Sequence, residues 1–239
     1  MAAADLDAAT PAEPWSVRDT VAHLAGSDEQ ATHAALRPEQ FIAGLAQVAL
    51  DIEGFLDGQL TARRALSRET LMASWQGGFE KLLAAFAAVP AGVKIPWYGP
   101  PMSAPSFATA RLMEYWAHGQ DVADALGVHR PPTARLRHIA YLGVRTRAFA
   151  YVNRGLSPNL TPVRLELSGP DGQTWTYGDA GAQQSVLGSA EDFCLLVTQR
   201  RHRRDLALVV DGPDADDWLD VAQCFAGPPG PGRAASGLR

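Results

Sequence analysis

Apolar residues recur at helical spacing through the first two-thirds of the chain and alternate at strand spacing only in the last third. From Arg18 to about Ala35, Val17, Val21 and Leu24 form one stripe. Ser16 stands just ahead as an N-cap, with Asp19 three residues on as a variant of the capping box. Pro38 marks a second start, and Phe41 to about Leu60 reads as one helix. A third helix spans Arg68 to Ala88, with Leu71, Trp75, Phe79, Leu82, Leu83 and Phe86 at helical spacing. Within it Gly77-Gly78 is a packing feature or a kink, and Val89-Pro90-Ala91-Gly92 ends it. Pro96 to Pro105 is a loop whose Trp97 and Tyr98 either plug the end of a bundle or line a pocket. A fourth helix runs from Phe107 to Leu126, stopped by Gly127, and Thr133 caps a fifth reaching about Val152.

The character changes after Asn153. Val163–Leu167 alternates as a strand, and Trp175–Tyr177 is its hairpin partner across Gly169-Pro170-Asp171-Gly172. Ser189 caps a helix to about Gln199, Leu206–Val210 is a third strand, and Asp214–Phe225 a last helix. Five helices followed by β-β-α-β-α predict an α+β protein: a helical bundle over 1–155, a small α/β domain over 156–226 and a disordered tail over 227–239.

Composition narrows the function. The net charge of −5 lacks the basic surplus of a nucleic-acid binder. The two cysteines, Cys194 and Cys224, form no CxxC pair, so a cysteine zinc site or disulfide framework is not expected and both read as reduced thiols. The first fifteen residues have no basic and apolar regions of a signal peptide, and no apolar run reaches about 18 residues. The cytoplasm is the expected compartment, with no membrane partner.

The helix Phe107–Leu126 carries the candidate chemistry. Leu112, Met113, Tyr115, Trp116, Val122, Ala123 and Leu126 cover most of its circumference, so it reads as buried. The remaining stripe is Arg111, Glu114, His118 and Asp121, spaced 3, 4 and 3 and so on one face. Glu114 and His118 at i and i+4 can reach one point, as a carboxylate and an imidazole binding a divalent metal would. The same spacing equally suits an ion pair on a solvated face. His23 lies off the apolar stripe of its own helix, beside Ser16, Asp19 and Ser27, which fits a ligand in a polar pocket and equally an exposed histidine.

The segment Trp15-Ser16-Val17-Arg18-Asp19-Thr20-Val21-Ala22-His23-Leu24 resembles a signature of the DinB-like superfamily, and more narrowly of the mycothiol-dependent maleylpyruvate isomerase family. Arg111 to Asp121 resembles that family's second signature, a Glu-x-x-x-His followed by an acidic residue. The β-β-α-β-α half is similar to its small C-terminal domain. The resemblance implies a helical bundle holding one divalent ion, zinc first, with nickel, iron and manganese suiting the same donors. Carried over by position, the ligands are His23, Glu114 and His118, leaving a coordination position open. It further implies mycothiol or another low-molecular-weight thiol as co-substrate, and a small electrophilic substrate. Arg111, Asp121, Arg200, Trp97 and Tyr98 are candidates to contact thiol or substrate or to orient the ligands.

Two departures matter. The segment before Trp15 is too short for the further helix that family members carry there. The start is then truncated, or the Phe41–Leu60 helix or a partner subunit in a homodimer fills the place. The family's Gly-Arg at the end of the C-terminal domain's helix reads Gln199-Arg200 here. Arg200 then binds an anion, or the run Arg200, Arg201, Arg203 and Arg204 complements a helix C-terminus. Three functions follow: a metal- and thiol-dependent transferase or cis–trans isomerase, a non-catalytic metal-binding or regulatory module of the same fold, and a helical interaction protein without metal.

Overall fold

A computed structural model describes residues 3–236, and the chain divides into two compact units, Met1–His129 and Arg130–Arg239. Among the described residues there are nine α-helices and six strands.

The first unit is built around α1 (Val17–Leu36), which packs on each of α2 (Pro38–Leu50), α3 (Ile52–Arg64), α4 (Arg68–Ala88) and α5 (Ala104–Ala125). Its start is a complete capping box: Ser16 Oγ accepts from the Asp19 amide at 3.2 Å, and Asp19 Oδ2 accepts from the Ser16 amide at 3.0 Å. Ahead of it, a 3-10 turn over Ala3–Asp7 buries Leu6.

The single helix expected from Phe41 to Leu60 is two. Asp51 leaves the helical region (φ −152°) and its side chain accepts from the Gly54 amide at 2.8 Å, so it caps α3. A short carboxylate offers the backbone this alternative to continuing the helix. The loop expected over Pro96–Pro105 is bracketed by a small antiparallel pair, β1 (Lys94–Ile95) and β2 (Met102–Ser103). Helix α5 starts three residues early because Ser103 caps it, accepting from the Ser106 amide.

Two apolar clusters lie along α1. One gathers Val21, Ala22, Leu60 and Leu71; the other gathers Ala31, Ala34, Phe41, Leu82, Phe86, Ile95 and Phe107. About ten residues of helix, roughly 15 Å, separate their α1 members.

In the second unit a four-stranded sheet has the order β4-β3-β5-β6, from β3 (Val163–Ser168), β4 (Thr174–Tyr177), β5 (Gln184–Ser189) and β6 (Val209–Asp211). The β3–β4 hairpin is antiparallel as expected, and Val163, Leu165 and Leu167 point inward. The pattern of hydrophobic residues had not marked β5. Its sequence, QSVLGS, holds too few apolar positions to alternate, and its place comes from parallel pairing with β3. After β4, Gly178 turns with φ 83°, and a Cβ there would lie 2.2 Å from the Val163 carbonyl oxygen.

The helix expected from Thr133 to Val152 is also two, α6 (Leu136–Arg145) and α7 (Arg147–Val152). At the break Thr146 Oγ1 donates back to the Leu142 carbonyl at 2.9 Å. Helix α6 packs on α8 (Ala190–Val197) and α7 on α9 (Pro213–Val221), so the unit begins at Arg130, earlier than the change in sequence pattern near residue 155. Residues 227–236 carry no regular structure, yet Gly227 and Ser236 are both held by hydrogen bonds; residues 237–239 of the expected tail lie outside the described residues.

Candidate metal centre

Helix α1 brings His23, and α5 brings Glu114 and His118, to one point between the helices. One ligand atom from each lies within 4.8 Å of the others. Glu114 Oε2 is 3.3 Å from His118 Nε2 and 4.0 Å from His23 Nε2, and the two imidazole centroids are 4.8 Å apart. The α5 stripe read from the sequence is an inward face: Arg111, His118 and Asp121 are buried, and Glu114 is about a quarter exposed by its side chain, at 24%.

The donor set fits a divalent ion. Ligand atoms about 2.0–2.2 Å from a tetrahedral zinc stand about 3.3–3.6 Å apart. The Glu114–His118 edge already meets that spacing, and small side-chain rotations close the others. Protonation states suit the same use. Burial pushes the His23 imidazole below its ordinary pKa, toward the neutral form that ligates. Burial opposes ionisation of Glu114, but the adjacent His118 and His23 imidazoles and the Arg111 charge hold it well below the usual carboxylate range.

Asp121 completes the arrangement. It is fully buried, with Oδ2 3.3 Å from His118 Nδ1, which leaves Nε2 facing Glu114. A carboxylate on the far nitrogen of a ligating histidine fixes its tautomer and orientation. Trp15 covers both imidazoles, stacked on His118 at 5.6 Å and tilted on His23 at 4.8 Å. Thr10 anchors it, donating from both its amide and its hydroxyl to the Trp15 carbonyl.

A polar layer continues away from the histidines. Arg111 Nε and Nη2 donate to Asp28 Oδ1 at 3.2 and 2.9 Å, and the Tyr115 hydroxyl donates to Asp28 Oδ2. Trp75 Nε1 donates to the Tyr115 hydroxyl at 2.9 Å. Burial raises the Asp28 carboxyl above its ordinary pKa even with Arg111 and Tyr115 upon it. Arg111 thus acts on the site through its charge on Glu114 and its bond to Asp28.

Sequence reasoning missed Asp28, Tyr115, Trp75 and Trp15 as parts of this assembly. For Asp28 a signal was present. Positions 17, 21, 24 and 28 share one helical face, so Asp28 continues the apolar stripe Val17-Val21-Leu24 and puts a carboxylate where a core residue belongs.

Trp97 and Tyr98 stand elsewhere in the unit. Trp97 stacks on Phe41 and meets Phe107 edge-on, with centroids 5.7 and 4.7 Å apart; Tyr98 leans on Phe41 and Phe55. The pair packs on the apolar cluster at the Phe107 end of α5, and burial pushes the Tyr98 hydroxyl up to about 12. Arg200 belongs to the second unit, where its Nη1 donates to the Thr198 carbonyl at 2.6 Å.

A family model described as the mycothiol maleylpyruvate isomerase N-terminal domain matches residues 1–123. Two uncharacterised proteins of Mycobacterium tuberculosis, from strains CDC 1551 / Oshkosh and ATCC 25618 / H37Rv, are each 49% identical over 224 residues, spanning 94% of this chain and 87% of theirs. Among solved structures, the mycothiol-dependent maleylpyruvate isomerase superposes with a TM-score of 0.54 and a mutant form of it with 0.55. Both are 14% identical, over 90% of this chain and 87% of theirs, and at that identity the likeness is one of fold.

Proposed function

The chain belongs to the mycothiol maleylpyruvate isomerase N-terminal domain family, and on that premise we propose that it is a metal- and thiol-dependent cis–trans isomerase or thiol transferase acting on a small electrophile. The observation that carries the proposal is the convergence of His23, Glu114 and His118 within 4.8 Å, with Asp121 behind His118. His23, Glu114 and His118 would hold one divalent ion, zinc first. When bound, such an ion stabilises a thiolate, the nucleophilic form of a thiol, and mycothiol is the thiol named for the structural relatives.

The protein's own groups do the rest. Asp121 holds His118 in one tautomer. Trp15 shields the imidazoles from water on one side. The Asp28–Arg111–Tyr115 layer fixes α5 against α1, so His23 meets the two ligands of the other helix. In isomerisation the thiolate adds to a conjugated carbon–carbon double bond, the resulting single bond rotates, and elimination restores the double bond and the thiolate. In transfer the protonated adduct is the product. The partners are then a low-molecular-weight thiol and its electrophile, and the setting is the cytoplasm, where thiols stay reduced.

The test is elemental analysis of untagged protein purified without chelator, followed by titration of mycothiol into the cobalt-substituted protein. About one equivalent of metal and a thiol-dependent change in the cobalt spectrum are expected. Absence of metal after reconstitution overturns the metal reading; metal with no response to thiol overturns the thiol reading.

A further inference from the structure

The second unit holds a cavity of its own chemistry. Helix α8 stops at Val197, and Gln199 takes the left-handed conformation (φ 57°) that glycine ordinarily supplies at a helix C-terminus. The turn closes with the Gln199 amide donating to Leu196 and the Arg200 amide to Leu195, both at 2.8 Å. A glycine would relieve the backbone but would lose a side chain that lines the cavity and donates to the Ala222 carbonyl at 3.3 Å.

The cavity measures about 480 Å³. Arg154, Arg201, Arg203, Arg204 and Arg233 line it, and among the described residues Asp220 is the one carboxylate that does. Arg203 is neutralised by Asp216 and Asp220. Arg154 is held by neutral acceptors, donating to Gln223 Oε1 at 3.2 Å and to the Gly230 carbonyl at 3.5 Å, so its position is set and its charge is not cancelled. Arg204 stands exposed on the same rim. Arg154 and Arg204 thus place positive charge on this rim in a chain whose net charge is −5.

Leu196, Leu219 and Ala222 give the cavity an apolar side, and Pro231-Gly232-Arg233 form a wall. That wall is fixed at both ends: Ser236 donates to Asp205 from its amide and hydroxyl, and the Gly227 carbonyl accepts from Asn153 and Gln223. Guanidinium forks match phosphate and carboxylate groups in a way that a general surface charge does not.

We propose that this cavity binds a small, multiply charged anion, a phosphate ester or a polycarboxylate, with its charged groups on Arg154 and Arg204 and its carbon body on the Leu196–Leu219 side. The experiment is calorimetric titration of the full chain at low salt with fructose bisphosphate and, separately, propane tricarboxylate. Submillimolar binding of at least one is expected, weakening as salt rises. The Arg154→Gln/Arg204→Gln variant should lose about tenfold or more in affinity while keeping its circular dichroism and metal content. Binding of only the bisphosphate, or only the tricarboxylate, names the source of the anion. Failure of both to bind at millimolar concentration overturns the proposal. So does undiminished binding by the variant, and so does binding confined to a single-stranded oligonucleotide.

Discussion

The histidine–glutamate centre and the arginine cavity solve opposite problems. In the first unit, charged and polar groups are buried, and each answers to another side chain: Asp121 to His118, Arg111 to Asp28, Asp28 also to Tyr115. In the second unit, the arginines lie nearer solvent and take mixed partners: Arg203 the carboxylates of Asp216 and Asp220, Arg154 the Gln223 side chain and the Gly230 carbonyl. Removing a member of the buried set leaves a partner stranded in low dielectric, whereas removing an arginine from the rim costs little but binding. Stability and ligand affinity should therefore move together in one region and separately in the other.

The largest effect should come from His118→Ala, which is expected to lose nearly the whole equivalent of metal by elemental analysis, while the double arginine variant keeps it. Next is Asp28→Leu. It leaves Arg111 buried without its counter-charge, and urea denaturation should show a loss of about 3–5 kcal/mol; a loss below about 1 kcal/mol would mean the layer is not sensed as buried. Asp121→Ala should weaken metal binding by about 10–100-fold in a competition titration, with the stoichiometry unchanged.

The smallest concerns Asp19, whose carboxyl burial alone would raise but which the bond from Arg64 and those from Ser16 hold below its ordinary pKa. A depressed carboxyl contributes stability fully above its unfolded pKa, about 3.9, and loses it as pH falls through the lower folded value. Arg64 is about 40% exposed, so the contribution is screened. Asp19→Asn should cost about 1 kcal/mol or less at neutral pH, and the difference from the parent should shrink in melts as pH falls below the unfolded value of about 3.9.

What was legible in the chain was whatever announces itself locally. The capping box at Ser16 and Asp19, the Arg68–Ala88 helix and the β3–β4 turn follow from spacing and short-range chemistry. The gathering of Glu114 and His118 with His23 was legible through the two signature segments together, since the spacing on α5 suits a solvated ion pair as well. The breaks at Asp51 and Thr146 were missed because one side chain's hydrogen bond outweighs an otherwise continuous helical period. Strand β5 was missed because its pairing partner sets its position, and Asp28 because its role exists only once Arg111 arrives from the far end of the unit's sequence.

Helices α1 and α5 run in opposite senses past each other: His23 lies beside His118, Asp28 holds Arg111, and Ala31 shares a cluster with Phe107. Apolar surfaces alone would tolerate a slip of one helical turn, about 5.4 Å. Such a slip would set the Asp28 carboxylate either toward that of Glu114 or into the aromatic packing around Phe107. The Asp28–Arg111 pair thus works as a tooth in a ratchet, admitting one sliding position of the two helices, and that is the position at which His23, Glu114 and His118, on separate turns, share a point.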